Sequence, residues 1–127
     1  MSTKPKQKDA LQSDALKDHL SRYREITVTV TGRKSGLAIS IPVWFVFEGD
    51  KLYLLPVQGS DTQWYKNALK KPSIRIDARG AGAELKPVPL TDSKQVSSVV
   101  EKFRAKYGAT DVKKYYSKFD VAVLAQI

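Results

Sequence analysis

Two runs of alternating apolar residues flank a short glycine-bracketed turn, and a helical period of 3.6 residues cannot accommodate that pattern. Before the turn, Ile26, Val28 and Val30 alternate with Thr27, Thr29 and Thr31; after it, Leu37, Ile39, Ile41, Val43, Phe45 and Phe47 keep the same period of two. Alternation sends successive side chains to opposite faces, so the stretch predicts two antiparallel strands joined at Thr31-Gly32-Arg33-Lys34-Ser35-Gly36. The second run is apolar on both faces, because Trp44 and Val46 fall between Val43, Phe45 and Phe47. A strand of that kind needs cover on both sides: the inside of a barrel on one, a helix or a second subunit on the other. Trp44 and Val46, turned away from the barrel, point to a subunit interface. Pro42 has no N–H to give to a ladder, which predicts an edge position or a bulge there.

The turn is chemically loaded. Gly32 and Gly36 let the backbone take positive φ and approach a ligand closely, and Arg33, Lys34 and Ser35 between them supply two cations and a hydroxyl. That is the composition of a phosphate grip. An ordinary hairpin whose cations stay in water fits the same six residues. If the grip reading holds, removing Arg33 and Lys34 together weakens anion binding with little loss of stability.

The rest of the chain reads as further strands with inserted helices. Ala10 to Arg24 lacks Gly and Pro and repeats Leu11, Ala15, Leu16, Leu20 and Tyr23 at helical steps. A strand from Lys51 to Pro56 follows the Glu48-Gly49-Asp50 turn. Ser60 with Gln63 matches a capping box and starts a helix through Trp64, Tyr65 and Asn67 to Lys71, stopped by Pro72. Ser73 to Ala78 and Ala83 to Leu90 read as strands, the latter weakened by Pro87 and Pro89. Asp92 caps an amphipathic helix carrying Val96, Val99, Val100, Phe103 and Tyr107, and Phe119, Val121, Val123 and Ala125 close the chain as a strand.

Several function classes drop out on composition. There is no cysteine, hence no disulfide, thiolate metal site or cysteine nucleophile, and a reducing cytoplasm is the default compartment. With His19 as the lone histidine, a histidine metal cluster or Ser-His-Asp triad is not expected, and no metal site is assigned. No apolar run is long enough to span a bilayer. The 22 Lys and Arg against 13 Asp and Glu leave a net charge of +9, which draws polyanions. Lys4, Lys6 and Lys8 lie in a polar stretch over 1–9 that reads as a disordered basic leader, leaving 10–127 as one domain. A nucleic-acid-binding barrel is the reading that charge and exposed aromatics offer, although no specific nucleic acid is expected as partner. The fold class expected is mainly β with inserted α: six antiparallel strands in a small barrel with flanking helices, with an open α+β sheet as the alternative.

Four ordered motifs, Thr31-Gly-Arg-Lys-Ser-Gly36, Pro42-Val-Trp-Phe-Val46, Glu48-Gly-Asp-Lys-Leu-Tyr53 and Trp64-Tyr-Lys-Asn67, resemble the deazaflavin-dependent nitroreductase family. That family lies within the split β-barrel flavin-binding proteins that include the pyridoxamine phosphate oxidases. The resemblance is good from Tyr23 to Arg79 and holds only in outline over the last forty or so residues. It implies a six-stranded split β-barrel, a homodimer, and a reduced deazaflavin (coenzyme F-420, 8-hydroxy-5-deazaflavin) giving hydride to a quinone, nitro-compound or activated alkene.

By motif match, Gly32, Arg33, Lys34, Ser35 and Gly36 would hold the coenzyme's phosphate and acidic tail, and Trp64, Tyr65 and Asn67 would lie along the same ligand. Many members place a serine and a lysine after the third strand; Val57 and Gln58 stand there here, in a shorter loop. The family's tyrosine-rich C-terminal segment is echoed by Tyr107, Tyr115 and Tyr116, of which Tyr115 and Tyr116 are the candidate catalytic residues, as proton donors or ring stackers. FMN is the alternative cofactor, since a phosphate grip would serve it equally.

Overall fold

The computed structural model describes residues 14–127; the basic leader over 1–9 and the expected helix start at Ala10 lie outside the described residues. In chain order the elements are α1 (residues 14–22), β1 (Ile26–Thr31), β2 (Ala38–Val43), β3 (Phe45–Glu48), β4 (Lys51–Leu54), a single 3₁₀ turn (Gly59–Asp61), α2 (Gln63–Lys70), β5 (Ile74–Ala78), β6 (Ala81–Leu85), β7 (Pro87–Leu90), α3 (Ser93–Tyr107), α4 (Ala109–Tyr115) and β8 (Ala122–Gln126). They form two four-stranded antiparallel sheets, β2-β1-β5-β6 and β3-β4-β8-β7.

The expected hairpin is present: β1 pairs with β2 from Thr31↔Ala38 to Ile26↔Val43 around the basic turn. The expected six strands are eight, and the sheets stay open rather than closing into one continuous barrel. The difference has one physical cause, repeated. The run from Leu37 to Phe47 breaks at Trp44, so that β2 belongs to one sheet and β3 to the other; Ala83 to Leu90 likewise breaks at Lys86 into β6 and β7. Both breaks lie beside prolines, at Pro42 and at Pro87 and Pro89, where a missing N–H interrupts a ladder and lets the strand bend out of its sheet.

Alternation along the bent strand survives the break. Phe45 is fully buried in the core between the sheets, with Val43 and Phe47 packed against it, beside Val28, Leu52, Leu54, Ile76 and Val123. Trp44 and Val46 face the other way, as the period requires, and meet helices of the same chain. Val46 is buried with Val99, Phe103, Val112 and Tyr116, and Trp44 packs against the same cluster. The cover on that side is α3 and α4 of the same chain, which corrects the interface expected there.

α1 buries Leu16 and Leu20 against the first core, and α3 is capped as expected, Asp92 accepting the Gln95 N–H at 3.1 Å. The capping box at Ser60 is not formed. Asp120 instead accepts the Ser60 N–H at 2.9 Å and the Ser60 hydroxyl at 2.5 Å, so residues 59–61 form the 3₁₀ turn and α2 begins after Thr62 without a side-chain cap.

Candidate functional site

The basic turn is a closed loop. The Gly32 N–H donates to the Leu37 carbonyl and the Gly36 N–H to the Gly32 carbonyl, both at 2.8 Å, while Ser35 Oγ accepts the Leu37 N–H at 3.1 Å. Gly36 sits at φ +73°, which only glycine adopts cheaply. No carboxylate pairs with Arg33 or Lys34 among the described residues, so both cations keep their field for an incoming anion.

Arg33 does not reach into open solvent. Its Nη1 donates to Asn67 Oδ1 at 2.7 Å, its Nη2 to Gln63 Oε1 at 2.8 Å, and its backbone N–H to the same Asn67 oxygen at 3.0 Å. The turn is therefore docked on α2, the helix that carries Trp64. Helical spacing puts Trp64, Asn67 and Ala68 on the inner face of α2, where all three are buried.

Beyond Arg33, one face of the chain through β2 runs from the exposed Leu37 and Ile39 to Ile41 and Val43, which are partly buried against the core. Leu37, Ile39, Ile41 and Val43 share one face of the strand by alternation, and at about 3.3 Å per residue Leu37 to Val43 extends on the order of 20 Å. Ile41 and Val43 border an aromatic groove of about 390 Å³, lined also by Trp44, Val57, Trp64, Tyr115 and Tyr116 and by Glu25. Trp44 meets the Tyr115 ring edge-on, with centroids 5.5 Å apart. Tyr115 is half exposed and Tyr116 almost wholly buried. The Tyr116 hydroxyl has no partner among the described residues, yet no buried side-chain oxygen there is left unpartnered, so the hydroxyl is not fully enclosed. Burial, and secondarily Tyr107, raises its pKa above the ordinary tyrosine value, so the hydroxyl is neutral at physiological pH and serves as a hydrogen-bond donor more readily than as an acid.

The structure thus gathers Trp64, Val57, Tyr115 and Tyr116 at one groove, and docks the Gly32–Gly36 turn, through Arg33, on Asn67, one helical turn from Trp64 on the same face of α2. It does not bring Tyr65 or Gln58 there. Tyr65 faces a separate apolar cleft with Leu69, Pro72 and Pro87, because adjacent helical residues diverge by about 100°. Gln58 gives its backbone N–H to Thr62 Oγ1 at 2.8 Å and bridges to Lys118. Trp44 is the residue that sequence reasoning misplaced. Its only signal was Pro42 two residues earlier, marking the bend that swings the indole from an outer face into the groove.

Tyr107 is no site residue. Its hydroxyl accepts the Phe45 N–H at 3.1 Å and shares its proton between the carbonyls of Arg24 (2.7 Å) and Phe45 (2.8 Å), while its ring stacks on Trp44 at 4.3 Å. Burial lifts its pKa to about 12. It positions Trp44 by holding the strand crossing in place.

Beside it, Lys106 Nζ donates to the Phe45 carbonyl at 2.8 Å, and burial, followed by the Arg24 charge, lowers its pKa from 10.5 to about 8. The unfolded chain then holds more protons than the folded one between about pH 8 and 10.5, so this group's contribution to stability is full above that window and lost as pH falls through 8. Lys106→Met removes the penalty: its melting temperature relative to wild type should be highest at pH 7 and decline towards pH 9.5. A difference that stays flat across that range would mean an ordinary lysine.

The loop between β4 and α2 is clipped to the C-terminal segment. Ser117 gives its N–H (2.8 Å) and hydroxyl (3.2 Å) to the Val57 carbonyl, and Lys118 pairs with Asp61 and Asp120. Gly59 lies at φ +55°, and a Cβ there would fall 2.0 Å from Asp120 Oδ1. The clip keeps Val57 at the groove and Tyr116 beside it. Among the described residues no group of His, Asp and Glu could hold a metal ion, and no helix is long and apolar enough to cross a membrane.

Comparison with solved structures places the fold. An F420-H2 dependent reductase (FDR-A) superposes with a TM-score of 0.63 at 17% identity, over 81% of this chain and 94% of that one. HutZ, the heme storage protein from Vibrio cholerae, gives 0.66 at 12% identity over 89% and 87%, and a domain-swapped dimer gives 0.64 at 14% over 94% and 99%. At these identities the likeness establishes the split-barrel-like fold alone. No curated protein matches the sequence. The family model described as an uncharacterized protein conserved in bacteria (DUF2255) matches residues 17–122, from within α1 to the first residue of β8, and the chain belongs to that family.

Proposed function

We propose that this protein is an oxidoreductase that binds a flavin-type cofactor along β2, its ring between Trp64, Trp44 and Tyr116 and its anionic arm at the Gly32–Gly36 turn. The cofactor we assign is reduced deazaflavin F-420, which when bound supplies hydride for a quinone, nitro-compound or activated alkene. The observation that carries this reading is the docking of Arg33 on Asn67 and Gln63. It sets the cationic turn directly against the tryptophan helix, so that the turn adjoins the groove that Trp64 lines.

The residues suit such a ligand. Flat aromatic side chains wall the groove, which favours a planar ring by stacking. Lys34 and the unpaired charge on Arg33 suit phosphate or carboxylate at the far end. Within the groove, Tyr116 presents a neutral hydroxyl that can donate a hydrogen bond or proton to an acceptor oxygen, and the apolar walls exclude water from the ring face. FMN is the second reading, favoured by Val57, which puts methyl groups where many deazaflavin enzymes have a serine.

A homodimer and a cytoplasmic setting belong to the same proposal. β2 is an edge strand, Ile39 on it and Leu37 just before it stay exposed, and one structural neighbour is a domain-swapped dimer. The decisive experiment is a fluorescence titration with oxidised F-420 in parallel with FMN. Micromolar or tighter binding of F-420 supports the deazaflavin assignment, binding of FMN alone moves it to the second reading, and binding of neither removes both.

A further inference from the structure

Asn67 is 95% removed from solvent, at 5% relative exposure, and its amide is oriented by its partners. Both groups that reach its Oδ1, the Arg33 backbone N–H and the Arg33 Nη1, are donors only, so oxygen must face them and nitrogen must face away. That nitrogen has no acceptor among the described residues. No buried side-chain nitrogen there is unpartnered either, so Asn67 Nδ2 lies where a ligand or solvent can reach it. A buried side chain with a donor left open is an unusual arrangement, because buried polar groups ordinarily spend their hydrogen bonds internally.

We propose that Arg33 is a positioning residue whose guanidinium fixes the Asn67 amide so that Nδ2 reads an acceptor atom of the bound ligand, leaving direct capture of the ligand's anion to Lys34 and Ser35. The proposal rests on the cofactor-binding reading above and reassigns the work within that site. Lys34 and Ser35 are exposed, and neither backbone N–H has an acceptor among the described residues. Ser35 Oγ accepts the Leu37 N–H, which leaves its own proton free to donate.

Asn67→Asp separates the two roles. An aspartate keeps an oxygen for Arg33, so the docking and the melting temperature survive, but the outward donor becomes an acceptor. The affinity for F-420, or for FMN if that is the probe that binds, should fall at least tenfold. Gln63→Glu is the control, because it places the same charge one turn away on the other Arg33 contact without removing a donor; its loss should stay within about threefold. Equal losses in the two variants, or none in Asn67→Asp, overturn the proposal while leaving the cofactor reading intact. If wild type binds neither probe, the cofactor reading is what fails, and the positioning role is then judged without ligand. In a double-mutant cycle of Arg33→Ala with Asn67→Ala, unfolding constants should depart from additivity by several-fold; additive effects overturn it.

Discussion

Phe45→Ala is expected to lower the unfolding free energy by about 3–5 kcal/mol, the range for removing a buried phenylalanine from a packed core. Phe45 is fully buried and stands at the first residue after the strand crossing. Its N–H and carbonyl are both bonded to the Tyr107 hydroxyl, and Lys106 Nζ lies 3.7 Å from the ring centroid. The truncation thus empties the core between the sheets at the point where the bend is fixed. Most single domains are stable by roughly 5–15 kcal/mol, so a drop in melting temperature on the order of 10–20 °C should follow. Phe47→Ala, at a partly buried position of the same strand, should cost clearly less. Equal melting temperatures for the two variants would show that the crossing has no special place in the core.

The second large effect is on binding. Arg33→Ala combined with Lys34→Ala should weaken F-420 or FMN binding by about a hundredfold or more, since the charged hydrogen bond from Lys34 contributes roughly 1.5–3 kcal/mol and the loss of Arg33 releases the Asn67 amide it orients. The same variant should lose about 1–2 kcal/mol of stability, because Asn67 and Gln63 give up their guanidinium partner. This revises the sequence expectation of little destabilisation, which gave Arg33 an anion to hold and no partner within the protein. Lys34→Ala alone should lower affinity without moving the melting temperature, and the wild-type affinity should fall with added salt. An unchanged dissociation constant in the double variant would remove the basic turn from the site altogether.

Much of the strand arrangement was legible because alternation is a local property. Ile26 to Val30 and Leu37 to Phe47 carry their facing in their spacing, and the register around Gly32–Gly36 follows from a turn of fixed length. The α3 helix was equally plain, since Asp92, the apolar period and Gly108 all agree. The capping box at Ser60 failed for a different reason. A helix start competes with any stronger acceptor that the fold brings near, and Asp120, sixty residues away in sequence, accepts both donors of Ser60. Nothing local announces that aspartate.

The sequence by itself determined the hairpin, its cationic turn, the two-sided apolar strand and the tryptophan helix, because each depends on residues within one or two turns of each other. Only the tertiary structure decided what those elements face. Bends at Trp44 and Lys86 divide two long strands between two sheets. They set Trp44 against Tyr107 and Tyr115 of the same chain, and Tyr65 away from the groove that Trp64 lines. The docking of Arg33 on Asn67 joins residues 34 positions apart. Contacts of that range are selected by packing and hydrogen-bond satisfaction across the whole core, and no periodicity encodes them.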